Sequence, residues 1–283
     1  MRPAQIAERI ERAPSLDPAV QAVCRIVVRA LPAGARTDAL HGVPFGQPAH
    51  PAIVRLPLGC WTSAVLLDLV PGTARASRLL VAAGLLGVAP AAATGLADWS
   101  ALHRHQQRVG LVHGAAQGSA SLLFLASFWL RAWGRHREGR AVSAAGLAVL
   151  LGGTYLGGHL ALRLGAGASH AEPIGHLSGL GWHDLCLASE LPEGRLVRRQ
   201  LGYLSLAVMR AGSGVYVLSD HCSHLGGPLH QGRLAGDCVV CPWHGSTFRI
   251  SDGAVIHGPA TAQQPSFETR ITDGGWVQVQ PRY

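Results

Sequence analysis

The sequence predicts a multidomain chain, an all-α transmembrane four-helix bundle followed by a small all-β domain. Three observations carry that prediction. Only 14% of the 283 residues are charged, against roughly 25% in a typical soluble domain. The shortage is concentrated between residues 56 and 162, where four long apolar runs fall. Beyond Trp182 the pattern changes to short β-like runs, LVRR, YLSLAVMR, GVYVLS, DCVVC, STFRI, FETRI and WVQVQ, punctuated by Gly, Asp, Ser and Pro.

Residues 1–50 form a basic segment rich in Arg and Pro. It has no apolar core or peptidase pattern, so no secretory signal is expected. Within it, PAVQAVCRIVVRAL (18–31) places Arg25 and Arg29 one turn apart. This suits a helix lying on a membrane surface, or equally a soluble helix covering the next domain. The bundle is expected over 51–163. Its runs are 52–70, 79–97, 111–130 and 142–162, each near the ~20 residues that cross a bilayer. The first is the weakest, since Arg55 and Asp68 lie near its ends. Gly114/Gly118 and Gly153/Gly157 form GxxxG pairs, which let helix backbones approach closely. Residues 164–181 read as a linker, and 182–283 as the β domain.

The net charge of +8 does not gather into the patch or stripe that nucleic acid needs. A lipid membrane is the expected partner, with Arg residues flanking apolar runs. The six Cys lack the dense spacing of a disulfide framework.

Two short motifs carry the chemistry. DHCSHLGGPL places Cys222 and His224 as C-x-H, and CPWHGSTF places Cys241 and His244 as C-x-x-H. Two Cys and two His could hold zinc. Each half, however, pairs one Cys with one His in a Gly/Pro-rich loop, which suits two loops gripping a two-iron cluster from opposite sides. Cys238 forms C-x-x-C with Cys241, but DCVV reads as a strand with Cys238 as a small core residue. His221, His230 and His257 lie near the loops and read as solvent-side or supporting groups.

CSHLGGPL and CPWHGSTF resemble the Rieske family over about 100 residues. The resemblance implies a [2Fe–2S] cluster, with Cys222 and Cys241 on one iron and His224 and His244 on the other. Neutral imidazoles in place of thiolates raise the potential to about −150 to +300 mV, against about −400 mV for plant-type clusters. High-potential relatives carry an extra Cys in each loop, joined as a disulfide. The matching positions here are Gly227 and Trp243. Those relatives also have a Ser and a Tyr that donate to sulfur. Ser246 is kept, but Phe248 replaces the Tyr. A potential in the lower or middle part of the range is therefore expected. Ring-hydroxylating oxygenases add a catalytic iron domain, and 39 residues after His244 leave no room for one. This domain is expected to carry electrons rather than activate oxygen.

HPAIVRLPLG (50–59), GLADW (95–99), VHGAAQ (112–117) and TYLGGHLALRLGAG (154–167) resemble a bacterial membrane family of unknown function, DUF2231. With four spans, helix parity puts both termini on one side. It also gathers His50, His103, His105, His113 and His159 at that surface, leaving His136 on the other. Ionisable groups at such depth mark functional sites. His50, His113 and His159 are candidates for a haem b or quinone site, with Asp98 and Arg55 on the same side. The expected location is a bacterial inner membrane, with the β domain cytoplasmic. The expected role is to pass electrons between a membrane partner and a redox protein, with redox sensing or assembly as the alternative.

Overall fold

The computed structural model describes residues 2–174 and 181–282. Of the linker expected at 164–181, residues 175–180 lie outside the described residues. Contacts divide the chain into a helical unit, residues 1–32 and 49–166, and a β unit, residues 33–48 and 167–283.

In the helical unit, α1 (Pro3–Glu11) and α2 (Asp17–Ala30) come first, and α3 (Ala35–His41) belongs with the β unit. Then follow α4 (Ala49–Ile53), α5 (Arg55–Leu67), α6 (Ala74–Leu86), α7 (Val88–Ser100), α8 (Arg104–Ala132) and α9 (His136–Gly158), which runs into a π-helical turn at His159–Arg163. Among the described residues three helices are long and apolar enough to cross a membrane: Ala74–Ser100, Arg104–Ala132 and His136–Arg163. The first expected run, 52–70, is not one of these long helices, because it is broken at Val54 into α4 and α5. Proline explains the break. Pro57 cannot donate to the carbonyl of Ile53, four residues back, and its ring crowds that carbonyl. The helix stops there. Pro90 has the same relation to Leu86, where α6 gives way to α7. That second break does not interrupt the apolar length.

The helical core is built where apolar stripes meet. Trp61 of α5 stacks on Phe124 of α8, with centroids 4.3 Å apart, beside Ala64, Val81, Ala120 and Leu150. Gly153 and Gly157 of α9 lie where a Cβ would press on Gln117 and His113 of α8. Gly114 and Gly118 face no such neighbour, so only one GxxxG pair marks a close approach. Segment 18–31 buries Val20 and Val27 in a cluster with Trp99 and leaves Arg25 and Arg29 exposed. Asp17 accepts two hydrogen bonds from Arg108, at 2.7 and 2.8 Å, and these hold its carboxyl below the usual range.

Among the described residues the β unit has ten strands in two antiparallel sheets. The larger sheet contains β1 (His183–Leu187), β2 (Leu196–Leu201), β3 (Leu204–Ala211), β4 (Gly214–Ser219), β9 (Ser266–Ile271) and β10 (Trp276–Pro281), in the order β1-β10-β9-β4-β3-β2. Alternate side chains of these strands, including Leu206, Val208, Val217, Phe267, Val277 and Val279, fill its core. The smaller sheet, β5 (Arg233–Ala235), β6 (Cys238–Val240), β7 (Thr247–Arg249) and β8 (Val255–His257), is inserted between β4 and β9. Its two motif loops leave β4 and join β6 to β7.

Candidate metal centre

Both motif loops are folded by the same backbone pattern. In the first, the Cys222 N–H donates to Gly227 O at 2.9 Å, and the Gly226 N–H donates to Cys222 O at 2.8 Å. In the second, the Cys241 N–H donates to Ser246 O at 2.8 Å, and the Gly245 N–H donates to Cys241 O at 3.1 Å. The glycine four residues after each Cys has positive φ, 76° at Gly226 and 80° at Gly245, where a side chain would be strained. A tight loop then turns the next N–H groups inward. Those of His224 and Leu225 face the Cys222 sulfur, and those of Trp243 and His244 face that of Cys241.

The loops bring all four motif residues together as two pairs. The cysteines are buried, with their sulfurs close enough for each to act on the other. The imidazoles of His224 and His244 are only partly buried, with centroids 5.1 Å apart and planes nearly perpendicular. The Cys222 contact, helped by the facing N–H groups, brings the Cys241 thiol down to about 6. The Cys241 contact and then burial push Cys222 up. Two sulfur donors on one side and two imidazoles on the other are the donor set that a two-iron cluster with unlike irons requires. The residues present fit that group.

Further contacts fix the loops. Buried Asp220 accepts from the His230 N–H at 2.7 Å, from the His230 ring and from Ser205. Buried Gln264 accepts from Ser223 N–H and donates to Ser219 O and His221 O. Sequence reasoning missed both residues. Both lie in polar stretches, SDHCSH and TAQQPS, where one more polar residue is no signal, and Gln264 lies 42 positions from Cys222. Cys238 sits buried in β6, its thiol on Asp237. A Cβ on Gly227 would come 3.1 Å from the Trp243 ring and 2.8 Å from the Cys241 sulfur. The two positions that carry a disulfide in high-potential relatives thus face each other here, with an indole lying over a glycine.

The histidines of the helical unit separate. The His50 Nδ1 donates to Ala91 O at 3.0 Å, and the His113 Nδ1 to Gly153 O at 2.7 Å. His159 goes elsewhere: its Nε2 lies 2.6 Å from the Glu11 carboxylate. His103 stacks on His105.

Two loops on an inserted small sheet, with paired sulfurs inside and paired imidazoles outside, define an all-β iron–sulfur domain. Comparison agrees. The family model of the Rieske [2Fe-2S] domain matches residues 181–268. Ferredoxin CarAc of Metapseudomonas resinovorans is 34% identical over 33% of this chain and 88% of its own length. The anthranilate 1,2-dioxygenase ferredoxin subunit of Burkholderia cepacia is 33% identical over 33% of this chain and 86% of its own. The chain belongs to the Rieske [2Fe–2S] family. Its helical part matches the predicted membrane protein family DUF2231 over residues 46–170. Among solved structures, the Sphingomonas yanoikuyae B1 ferredoxin is 28% identical, covering 35% of this chain and 98% of that one, with a TM-score of 0.33.

Proposed function

We propose that this chain is a membrane-anchored Rieske electron carrier. It passes single electrons between a membrane redox partner and a soluble or membrane oxidoreductase, with an oxygenase system as the favoured acceptor. The location we infer is a bacterial inner membrane, with the β unit on the cytoplasmic side. The observation that carries the reading is the pairing in the two loops, sulfurs buried and imidazoles toward the surface.

In this reading Cys222 and Cys241 hold the inner iron, and His224 and His244 hold the outer one. When bound, the cluster takes up and releases one electron at a time. The chain's own groups do the rest. The N–H groups of His224, Leu225, Trp243 and His244 offset negative charge on sulfur, which favours the reduced state. The imidazole edges give an electron a short path to a docked partner. Three apolar helices fit the membrane anchor, as does the match to a predicted membrane family. The likeness to ferredoxin subunits supports the oxygenase partner.

The test is electron paramagnetic resonance of the reduced, iron-replete full chain, purified from membranes. A reduced Rieske signal is expected. His224→Ala and His244→Ala should each abolish it while the protein stays folded by circular dichroism. No signal from wild-type protein would refute the reading.

A further inference from the structure

His50 and His113 are set up as ligands, half-buried against neighbouring helices of the helical unit. A carbonyl oxygen only accepts hydrogen bonds, so the contacts to Ala91 O and Gly153 O fix the proton on Nδ1 of both rings. Thr94 Oγ1, 3.3 Å from the same His50 nitrogen, reinforces the first contact. The Nε2 lone pair of each ring is then left unprotonated. Among the described residues neither Nε2 makes a hydrogen bond. Metal-binding histidines are held this way, with Nδ1–H on a carbonyl and Nε2 on the metal.

The helices are shaped around these rings. A Cβ on Gly95 of α7 would come 2.7 Å from the His50 imidazole, and one on Gly157 of α9 would come 3.0 Å from that of His113. Each ring lies on a glycine of a neighbouring helix, which leaves it little freedom to turn. The two rings are also near enough for the charge of one to be felt at the other.

Coordination number selects the ligand. Two imidazoles are two ligands, whereas a bare transition ion takes four or more. An iron porphyrin supplies four ring nitrogens itself, takes imidazole at its axial positions, and suits an apolar helical environment. We propose that His50 and His113 are the axial ligands of a haem held in the helical unit. His159 is not a ligand, because its Nε2 is taken up by Glu11. The site rests on the helical unit alone and not on the cluster assignment.

The test is a hemin titration of the full-length protein in detergent, followed by visible absorbance. A saturable six-coordinate, low-spin spectrum at one haem per chain is expected. His50→Ala and His113→Ala should each convert it to a high-spin, five-coordinate spectrum, and added imidazole should restore the low-spin form. His159→Ala should retain the wild-type spectrum. The Rieske signal of the same samples reports folding and cluster content independently. A protein that keeps that signal but shows no saturable hemin spectrum overturns the haem site alone. So does an unchanged low-spin spectrum in both His50→Ala and His113→Ala. Loss of the Rieske signal with a retained haem spectrum would instead overturn the cluster reading.

Discussion

Phe248 pairs with Val239 across β6 and β7 and is fully buried in the cluster of apolar side chains that holds Cys222, Leu229 and Cys241. An apolar ring there gives the sulfurs no donor. Ser246 is buried too, and its Oγ accepts from the Ala260 N–H at 3.0 Å. Restoring the missing hydroxyl by Phe248→Tyr should raise the reduction potential, because a donor favours the more negative, reduced cluster. A hydrogen bond to a charged group is worth about 1.5–3 kcal/mol, which for one electron is about 65–130 mV. Protein-film voltammetry would show it, and an unchanged or lower potential would contradict the account. The four motif residues were legible because their chemistry is local. Cys-x-His and Cys-x-x-His each fit within one loop turn, and the glycine four places after each Cys is visible in the sequence. Gln264 was not legible, since one amide bonding three backbone groups of a distant loop leaves no spacing to read.

The helices show a similar division between local and distant signals. Apolar length located the runs that form α5 to α9, and Pro57 and Pro90, set against the carbonyls four residues earlier, account for the breaks found within them. What length could not reveal is the charge pair that joins them. Arg131 of α8 is 1% exposed and donates to both oxygens of Asp68, at 2.8 and 2.5 Å. Ser77 of α6 donates to the same carboxylate, Arg131 also reaches Ser127 and Ser143, and Arg140 lies 3.9 Å away. In the sequence, Asp68 lies near the end of the run 52–70 and Arg131 just past the run 111–130, with nothing to pair them. They stand 63 positions apart, and only the packing of α5, α6, α8 and α9 brings them together. Removing one member of a buried pair leaves the other charge uncompensated, at a cost of about 3–5 kcal/mol. Arg131→Met should therefore lower stability by about that amount in reversible denaturation from detergent. Adding Asp68→Leu to Arg131→Met should recover much of the loss. If the single variant unfolds with the wild type, the pair is not holding the helices together.

At the scale of the whole molecule the chain order and the packing order disagree. Residues 33–48 precede the apolar helices, yet they pack with the β unit. No pattern in that Pro-containing stretch signals this, because its anchor is one carboxylate acting over 220 positions. Asp38 accepts from the His257 ring and from the Gly258 N–H, both at 2.8 Å. His41 and Val43 close over Gly258, where a Cβ would stand 3.1 Å from each. From Gly258 the chain runs to buried Ala260, whose N–H is held by Ser246 in the second motif loop. The segment is thereby linked, through two hydrogen bonds and a short stretch of backbone, to the loop of Cys241. Asp38→Ala removes the acceptor and leaves the Gly258 N–H unpartnered, at a cost of about 1–3 kcal/mol. Local opening around 257–260 should become easier by the same amount. Hydrogen exchange in the full chain should then accelerate at the Gly258 amide by about fivefold to 150-fold, with helical-unit amides unchanged. Equal exchange at Gly258 in the two proteins would mean that Asp38 does not brace this loop. Acceleration spread over both units would mean that it supports the whole fold rather than the cluster end of it.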